Sequence, residues 1–539
     1  MKRLFFLTAI LFFTSFIADS QTIRYVKEGG TGIGTGSWAN ASGDLQAMID
    51  ASADNDEIWV AGGTYTSSGT STSGGFKIGY PIKLYGGFAG TEFAVAERNM
   101  TANETILSGN NTNYHTVVIA DAVDANNLEI LIDGFTIANG NASGTGAVNG
   151  INRDGGGGLF VYTFGVTTVQ NCIFRNNSAG SRGGAVYASR GTATINIYHS
   201  KFIQNTVTGN NGIGGAVFNN NAALNIVNAL FIKNEVTGIN GSGGAVGISQ
   251  TAGTTNIINT TFDENKITSG REAIFISQSG VATIANSIIW EGGNWNPIGR
   301  GNGITYDIKN SVIRLSAPPA NAGIINQDPL FVDAAAGNYT LQSTSPAINA
   351  GDNDSYNTVA YGGGDLARYH RIAGTAIDIG AYESGSTPLP VTFGSISAVV
   401  KAGKLLVSWQ TENETNNSHF EIEGSADGVH FIKITTIASK AENGNSNTLL
   451  EYNWEAGAEA LAGITWIIVL IVLGMIPITA KYRKPVLMLA LILVSSCIYI
   501  SCSKQADILD AGTEKYFIRI KQVDKDGGFK YSKAVEVVF

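Results

Sequence analysis

Gly183-Gly184-Ala185-Val186, Gly214-Gly215-Ala216-Val217 and Gly243-Gly244-Ala245-Val246 recur at spacings of 31 and 29 residues. A second signal runs between them: Phe174-Arg175-Asn176-Asn177, Phe202-Ile203-Gln204-Asn205, Phe231-Ile232-Lys233-Asn234 and Phe262-Asp263-Glu264-Asn265, spaced 28, 29 and 31 apart. Degenerate copies flank them at Gly157-Gly158-Leu159-Phe160 and Arg271-Glu272-Ala273-Ile274. Self-similarity at this period marks a stacked-repeat architecture, and it decides the fold before any single element does. Within each period the apolar residues alternate, as in Thr194-Ile195-Asn196-Ile197-Tyr198, which excludes helical repeats. Propeller blades need a longer period, about 40 residues.

One coil of a right-handed parallel β-helix fits the period. Paired glycines let the backbone turn tightly, and the valine after them enters the core. Phe stacks on Phe from coil to coil. The Asn of each F-x-x-N block is expected at a left-handed bend, bonded to the Asn of the next coil. With coils ~4.8 Å apart, about ten of them make a rod roughly 50 Å long. Asp56-to-Ala61, Pro81-to-Tyr85 and Thr116-to-Ile119 read as strands of earlier coils. Before them Leu45, Met48 and Ile49 fall at helical spacing within 44–53, so a short amphipathic helix is expected over the open end of the stack.

Composition agrees. Only 14% of the 539 residues are charged, whereas 44% are hydrophobic and 67 are glycine, a balance suited to many short strands and tight turns. A net charge of −9 without a Lys/Arg cluster argues against nucleic acid. Residues 1–20 read as an export signal: Lys2 and Arg3, an apolar run Leu4 to Ile17, then Ala18-Asp19-Ser20 before Gln21. The three cysteines, Cys172, Cys497 and Cys502, provide no disulfide framework.

The paired glycines and F-x-x-N blocks resemble the repeats of polymorphic outer-membrane proteins and related bacterial β-helices. Ser345-Pro346-Ala347-Ile348-Asn349-Ala350-Gly351-Asp352, with Asp365-Leu366-Ala367, Arg371-Ile372 and Asp378-Ile379-Gly380-Ala381-Tyr382-Glu383, resembles the end of a choice-of-anchor Q domain. These resemblances imply a β-helix over 21–385, its last part 328–383, on an exported envelope protein; they imply no reaction. After Gly385-Ser386-Thr387-Pro388, alternating strands such as Leu405-to-Trp409 and Phe420-to-Glu423, and a final hairpin from Tyr516 to Ser532, resemble a fibronectin-III-like module over 386–455 and 513–539.

That module is interrupted by an insertion, 456–512. Residues 460–480 and 485–503 carry no charge and approach the ~20 residues needed to cross a bilayer. The cationic turn Lys481-Tyr482-Arg483-Lys484 predicts a cytoplasmic loop, leaving both large domains outside the cytoplasm. Val494-Ser495-Ser496-Cys497 also fits a lipobox, which makes Cys497 a candidate lipidation site.

Parallel β-helices of the pectate-lyase type include polysaccharide lyases and hydrolases, so an enzyme is one candidate. Lyases need several acids around Ca²⁺ with a basic residue, and hydrolases need paired carboxylates. Between Gly155 and Arg300 the acids are Glu235, Asp263, Glu264, Glu272 and Glu291, and only Asp263-Glu264 are adjacent, inside a bend. Asp54, Asp56 and Glu57, Asp352 and Asp354, and Asp524 and Asp526 are short acidic groups that admit Ca²⁺ but lack a full ligand loop. Arg519-Ile520-Lys521 has no catalytic partners, and the five histidines are scattered. The expectation is a non-catalytic, cofactor-free surface scaffold for glycans or matrix, with Tyr187, Tyr198, Trp290 and Trp295 as sugar-stacking candidates. A polysaccharide lyase or glycoside hydrolase is the alternative.

Overall fold

The computed structural model describes residues 22–457 and 515–538 apart from short stretches, the longest being 68–74, 121–128, 316–322, 358–363 and 386–392. The signal-like segment 1–20 and the two apolar runs 460–480 and 485–503, Cys497 included, lie outside the described residues. Two compact units emerge, one running to Asp328 apart from Thr91–Arg98, the other made of Thr91–Arg98 and the chain from Pro329 on.

In the first unit the strands of four sheets pair in parallel with their counterparts one repeat later, and a short antiparallel pair, Ala147–Val148 with Ile151–Asn152, stands apart from them. Sheet 1 has ten strands, from Ile23–Val26 to Tyr306–Lys309; sheet 2 has ten, from Gly63–Thr66 to Ile324–Ile325. Sheet 3 has eight, from Phe76–Ile78 to Ile298–Arg300, and a narrow fourth sheet has five. A single coil runs through Thr194–Tyr198, Lys201–Ile203, Thr206–Val207 and Val217–Asn220. Its residues Ile195, Phe202, Thr206 and Val217 pair with Leu224, Phe231, Glu235 and Val246. The unit is a parallel β-helix.

Alternation sends one set of side chains inward from all the sheets. Ile197 and Ile226 from sheet 1, Phe202 and Phe231 from sheet 2, and Val186, Val217 and Val246 from sheet 3 join one core cluster. Phe174, Phe202, Phe231 and Phe262 are fully buried and stacked, with successive centroids 4.9, 4.5 and 4.9 Å apart. That separation is set by the distance between paired strands, and each buried phenyl stabilises by about 2–3 kcal/mol. The tight turn before sheet 3 uses left-handed glycine at Gly183, Gly214 and Gly243. At Gly214 a Cβ would lie 2.2 Å from the Val217 carbonyl oxygen, so no larger residue fits.

The asparagines of the F-x-x-N blocks lie inside the stack, each fully or almost fully buried. Asn205 donates one Nδ2 proton to the Phe174 carbonyl (2.9 Å) and the other to Asn234 Oδ1 (3.0 Å). Asn234 does the same to the Phe202 carbonyl and Asn265, both at 2.9 Å, and the backbone N–H of Asn177, Asn205 and Asn234 also donates to the next Oδ1. Every buried polar atom of Asn234's amide is thereby used. The ladder ends on a carboxylate: Glu291, 3% exposed, accepts from Asn265 N–H at 2.8 Å and from Asn265 Nδ2 at 2.9 Å.

The expected left-handed bend at these asparagines is corrected by one position. Positive φ falls on the preceding residue, Asn176, Gln204, Lys233 and Glu264. The inward amide must reach the carbonyl of the coil behind it, so its own backbone stays out of the bend, and the solvent-facing neighbour takes the turn. A second bend, between sheets 1 and 2, uses one left-handed residue per coil at Asn171, His199, Asn228, Asn259, Asn286 and Asn310.

The helix Leu45–Asp50 buries Leu45, Met48 and Ile49 in the same core, and Asp44 caps it by accepting the Ala47 N–H at 3.0 Å. At the other end the coils stop earlier than expected. The last parallel strand is Ile324–Ile325, and the next pair, Phe331–Asp333 with Asn338–Leu341, is antiparallel. Gly337, at φ 82°, closes the intervening turn by donating to the Ala334 carbonyl, and this reverses the chain. The helix therefore does not continue through 328–383.

In the second unit, Arg371 is 4% exposed and donates to the Asp378 and Gly380 carbonyls. Asp365, Asp378 and Glu383 are buried around it and accept backbone N–H groups. Burial pushes the Glu383 carboxyl up to about 7. Beyond them stands a sandwich of two antiparallel sheets. One is ordered Phe393–Lys401, Lys404–Thr411, Leu450–Gly457; the other Ile432–Ala438, Asn417–Ser425, Phe517–Asp524, Phe529–Tyr531. Trp409, Phe420, Tyr452, Ile422 and Ile520 form its core. The insertion joins strands of different sheets. Among the described residues no helix is long and apolar enough to cross a membrane.

Candidate functional site

The outward residues of sheet 1 form a surface with a distinctive chemistry. Because Ile195, Ile197, Leu224 and Ile226 point inward, Thr194, Asn196, Ala223 and Asn225 point outward. The parallel register then lines up Thr168, Asn196, Asn225, Asn256 and Thr283 in one row across five coils. Beside it runs a row of small residues, Val166, Thr194, Ala223 and Thr254. The third outward row, Tyr198, Val227, Ile258 and Ala285, is buried. The accessible part is a strip of asparagine, threonine, alanine and valine.

The asparagines are pre-oriented. Asn256 Nδ2 donates to Asn225 Oδ1 and Asn225 Nδ2 to Asn196 Oδ1, each at 2.9 Å, and Asn196 Nδ2 donates to the Thr168 hydroxyl at 3.1 Å. Thr168 in turn donates to the Glu129 carboxylate. An amide has two N–H groups and two lone pairs on oxygen. After the ladder, Asn196 and Asn225 each keep one N–H and one lone pair. The side chains are half-buried, so their rotamers are held before any ligand arrives. Asn196, Asn225 and Asn256 recur at spacings of 29 and 31, a signal as regular as the F-x-x-N blocks and missed beside them.

The aromatic candidates fare differently. Tyr187, 2% exposed, packs with Phe160, Phe218, Val118 and Ile151 under the glycine-rich turn. Tyr198 is 6% exposed, and burial with the Glu129 charge pushes its phenol up to about 12. Neither offers an open ring face, which corrects their reading as sugar platforms. Trp290 is half-buried with the Arg314 guanidinium 5.5 Å over its ring, and Trp295 lies outside the described residues.

The acidic groups resolve into local structure. Glu264 takes a bend and pairs with Lys233 at 3.2 Å, while Asp263 lies on sheet 2. Asp56 accepts from the Thr22 and Ala53 N–H groups and pairs with Arg24, and Asp352 accepts from the Ser355 N–H. Glu272 replaces a glycine of the repeat; its carboxylate accepts the Gly243 N–H at 2.7 Å, and burial pushes it up to about 7. Arg519 lies between the rings of Phe431 and Tyr531 on the sandwich and pairs with Glu423 at 2.7 Å. Asp526 lies outside the described residues. Among those described, no three His, Cys, Asp or Glu side chains are grouped to hold a metal.

A cleft of about 310 Å³ opens beside the capping helix, lined by Glu28, Asp44, Gln46, Thr64, Tyr65 and Ser67 among others. Gln46 is already paired with both backbone groups of Lys77, and the Tyr65 hydroxyl donates to the Ala61 carbonyl.

No family model matches the chain, and no curated protein does. Among solved structures, a crystal structure of pectate lyase Pel9A is similar with a TM-score of 0.36 and 15% identity, over 68% of this chain and 97% of that one.

Proposed function

We propose that this is an exported, membrane-anchored β-helix protein that binds glycans or matrix without transforming them. The outer strip of sheet 1 is its contact surface. The observation that supports the reading is the asparagine ladder Asn196–Asn225–Asn256, an ordered array of donors and acceptors. Binding to an extended polar chain is limited by the entropy of ordering both partners, and a ladder fixed in advance removes the protein's share. The sandwich is a fibronectin-III-like module, and the runs 460–480 and 485–503 serve as the anchor.

A glycan array probed with the full chain tests this reading. It should show retention of extended polysaccharides, with no release of unsaturated or reducing sugar in a parallel assay. Release of such sugar would replace the scaffold by the lyase or hydrolase alternative, and an array without retention would remove the glycan reading altogether.

A further inference from the structure

We infer that the strip of sheet 1 selects uncharged, hydroxyl-rich polysaccharides and turns away polyuronates. The inference rests on the proposed function and names the ligand class. From Thr168 to Thr283 no outward residue of sheet 1 is ionisable except the buried Tyr198; the rows read Thr194, Asn196; Ala223, Asn225, Val227; Thr254, Asn256, Ile258. The charges stand at the ends. Glu129 and Asp133 face outward from the strand before the run; Asp307 and Lys309 face outward from the strand after it and neutralise each other at 3.8 Å. The strip is therefore bracketed by the exposed Glu129 at one end, with Asp133 buried beside it and Lys83 outward on the strand before, and by the Asp307–Lys309 pair at the other.

This distribution has a chemical consequence. A polyuronate brings one carboxylate per sugar, which accepts hydrogen bonds but cannot donate. Recognition of such a chain calls for lysine or arginine at a regular interval, and the outward face of sheet 1 in these five coils supplies none. Each of Asn196 and Asn225 instead presents one N–H and one lone pair, a donor and an acceptor side by side. A sugar hydroxyl satisfies both at once, since it donates and accepts. The row runs along the stack, across the strands, so a chain lying on it meets one such pair per coil, ~4.8 Å apart. Glu129, exposed at that end, repels a polyanion further, most strongly at low salt.

The test is affinity electrophoresis of the detergent-solubilised full chain through gels carrying xyloglucan, laminarin, polygalacturonate or alginate. Wild type should be retarded by a neutral glycan and pass freely through both polyuronates at low salt. Asn225→Ala, which breaks the ladder, should weaken retention by about tenfold, the value of roughly one preorganised hydrogen bond and its alignment. Thr254→Arg leaves the ladder intact and adds a cation on an exposed position; it should confer polygalacturonate retardation that high salt abolishes. Unchanged thermal melting shows that each variant is folded. Equal wild-type retardation by neutral and uronate gels, reduced in both by Asn225→Ala, would overturn the selectivity while leaving the strip as a glycan site. Retardation by no glycan, or retardation indifferent to both substitutions, would overturn the strip itself and leave a protein partner as the matter to test.

Discussion

Asn234→Ala is the most informative single perturbation. Asn234 is fully buried, and its amide makes four hydrogen bonds: two donated, to Phe202 and Asn265, and two accepted, from the N–H and Nδ2 of Asn205. Its own backbone N–H keeps its bond to Asn265, so that one is not lost. Truncation orphans at least the Asn205 N–H and one Asn205 Nδ2 proton in a dry interior. At about 1–3 kcal/mol per orphaned group, the cost is roughly 3–5 kcal/mol. Asn234→Asp is a sharper companion, being equal in shape. It still accepts from Asn205 but sets a carboxylate oxygen against the Phe202 and Asn265 oxygens. Its carboxyl is pushed above the ordinary range in the folded state, so the deficit should shrink as pH falls toward 4 and the acid takes up a proton. Urea unfolding of the full chain measures both, with the solvent-facing turn residue Ile239→Ala as control. The double substitution Asn205→Ala/Asn234→Ala should cost clearly less than the sum, because the two share bonds. A loss below about 0.5 kcal/mol for Asn234→Ala, or strict additivity, would refute a connected ladder.

Phe231→Ala removes the middle of the ring stack and should cost about 3–5 kcal/mol in the same assay. Glu272 has its folded pKa raised to about 7 from 4.5, so its contribution is fully present below the unfolded value and is lost as pH rises through 7. Glu272→Gln should therefore be more stable than wild type at pH 8, on the order of 2 kcal/mol, and lose that advantage at pH 4, as thermal melts at the two pH values would show. If the inserted runs are membrane spans, a cysteine introduced as Lys481→Cys should resist an impermeant maleimide in intact cells and react after lysis; labelling from outside would remove the hairpin.

Much of the β-helix is legible because one residue type recurs at one place in every coil. Phe202, Phe231 and Phe262 announce their stack, and Gly183, Gly214 and Gly243 their turn, since the parallel register sets each copy at the same place in its coil. The bend between sheets 1 and 2 was equally regular, Asn228, Asn259 and Asn286, yet asparagine is common enough in the chain to hide it. The end of the coils was harder to see. Nothing in the hydrophobic pattern separates Ile324 from Phe331; the reversal depends on one left-handed glycine, Gly337. The Tyr187 and Tyr198 readings failed for a further reason. Alternation says which side of a sheet a residue takes, and only the path of the turns says whether that side is open. The site strip was invisible for the opposite reason: its residues are uncharged, and searches for chemistry look first for charge.

The inner asparagine ladder donates toward the C-terminal coils and stops on Glu291; the outer one donates toward the N-terminal coils and stops on Glu129. A coil between Asn177 and Asn265 looks the same to its neighbours above and below, so a duplicated or deleted coil rejoins both ladders without a mismatch. The terminating carboxylates stay where they are. Unequal recombination within this stretch of gene should consequently yield folded proteins of different reach, each step adding or removing one strand spacing, about 4.8 Å, of the outward strip of sheet 1. Length becomes the freely heritable trait of this surface, while its chemistry stays fixed by the repeated coil.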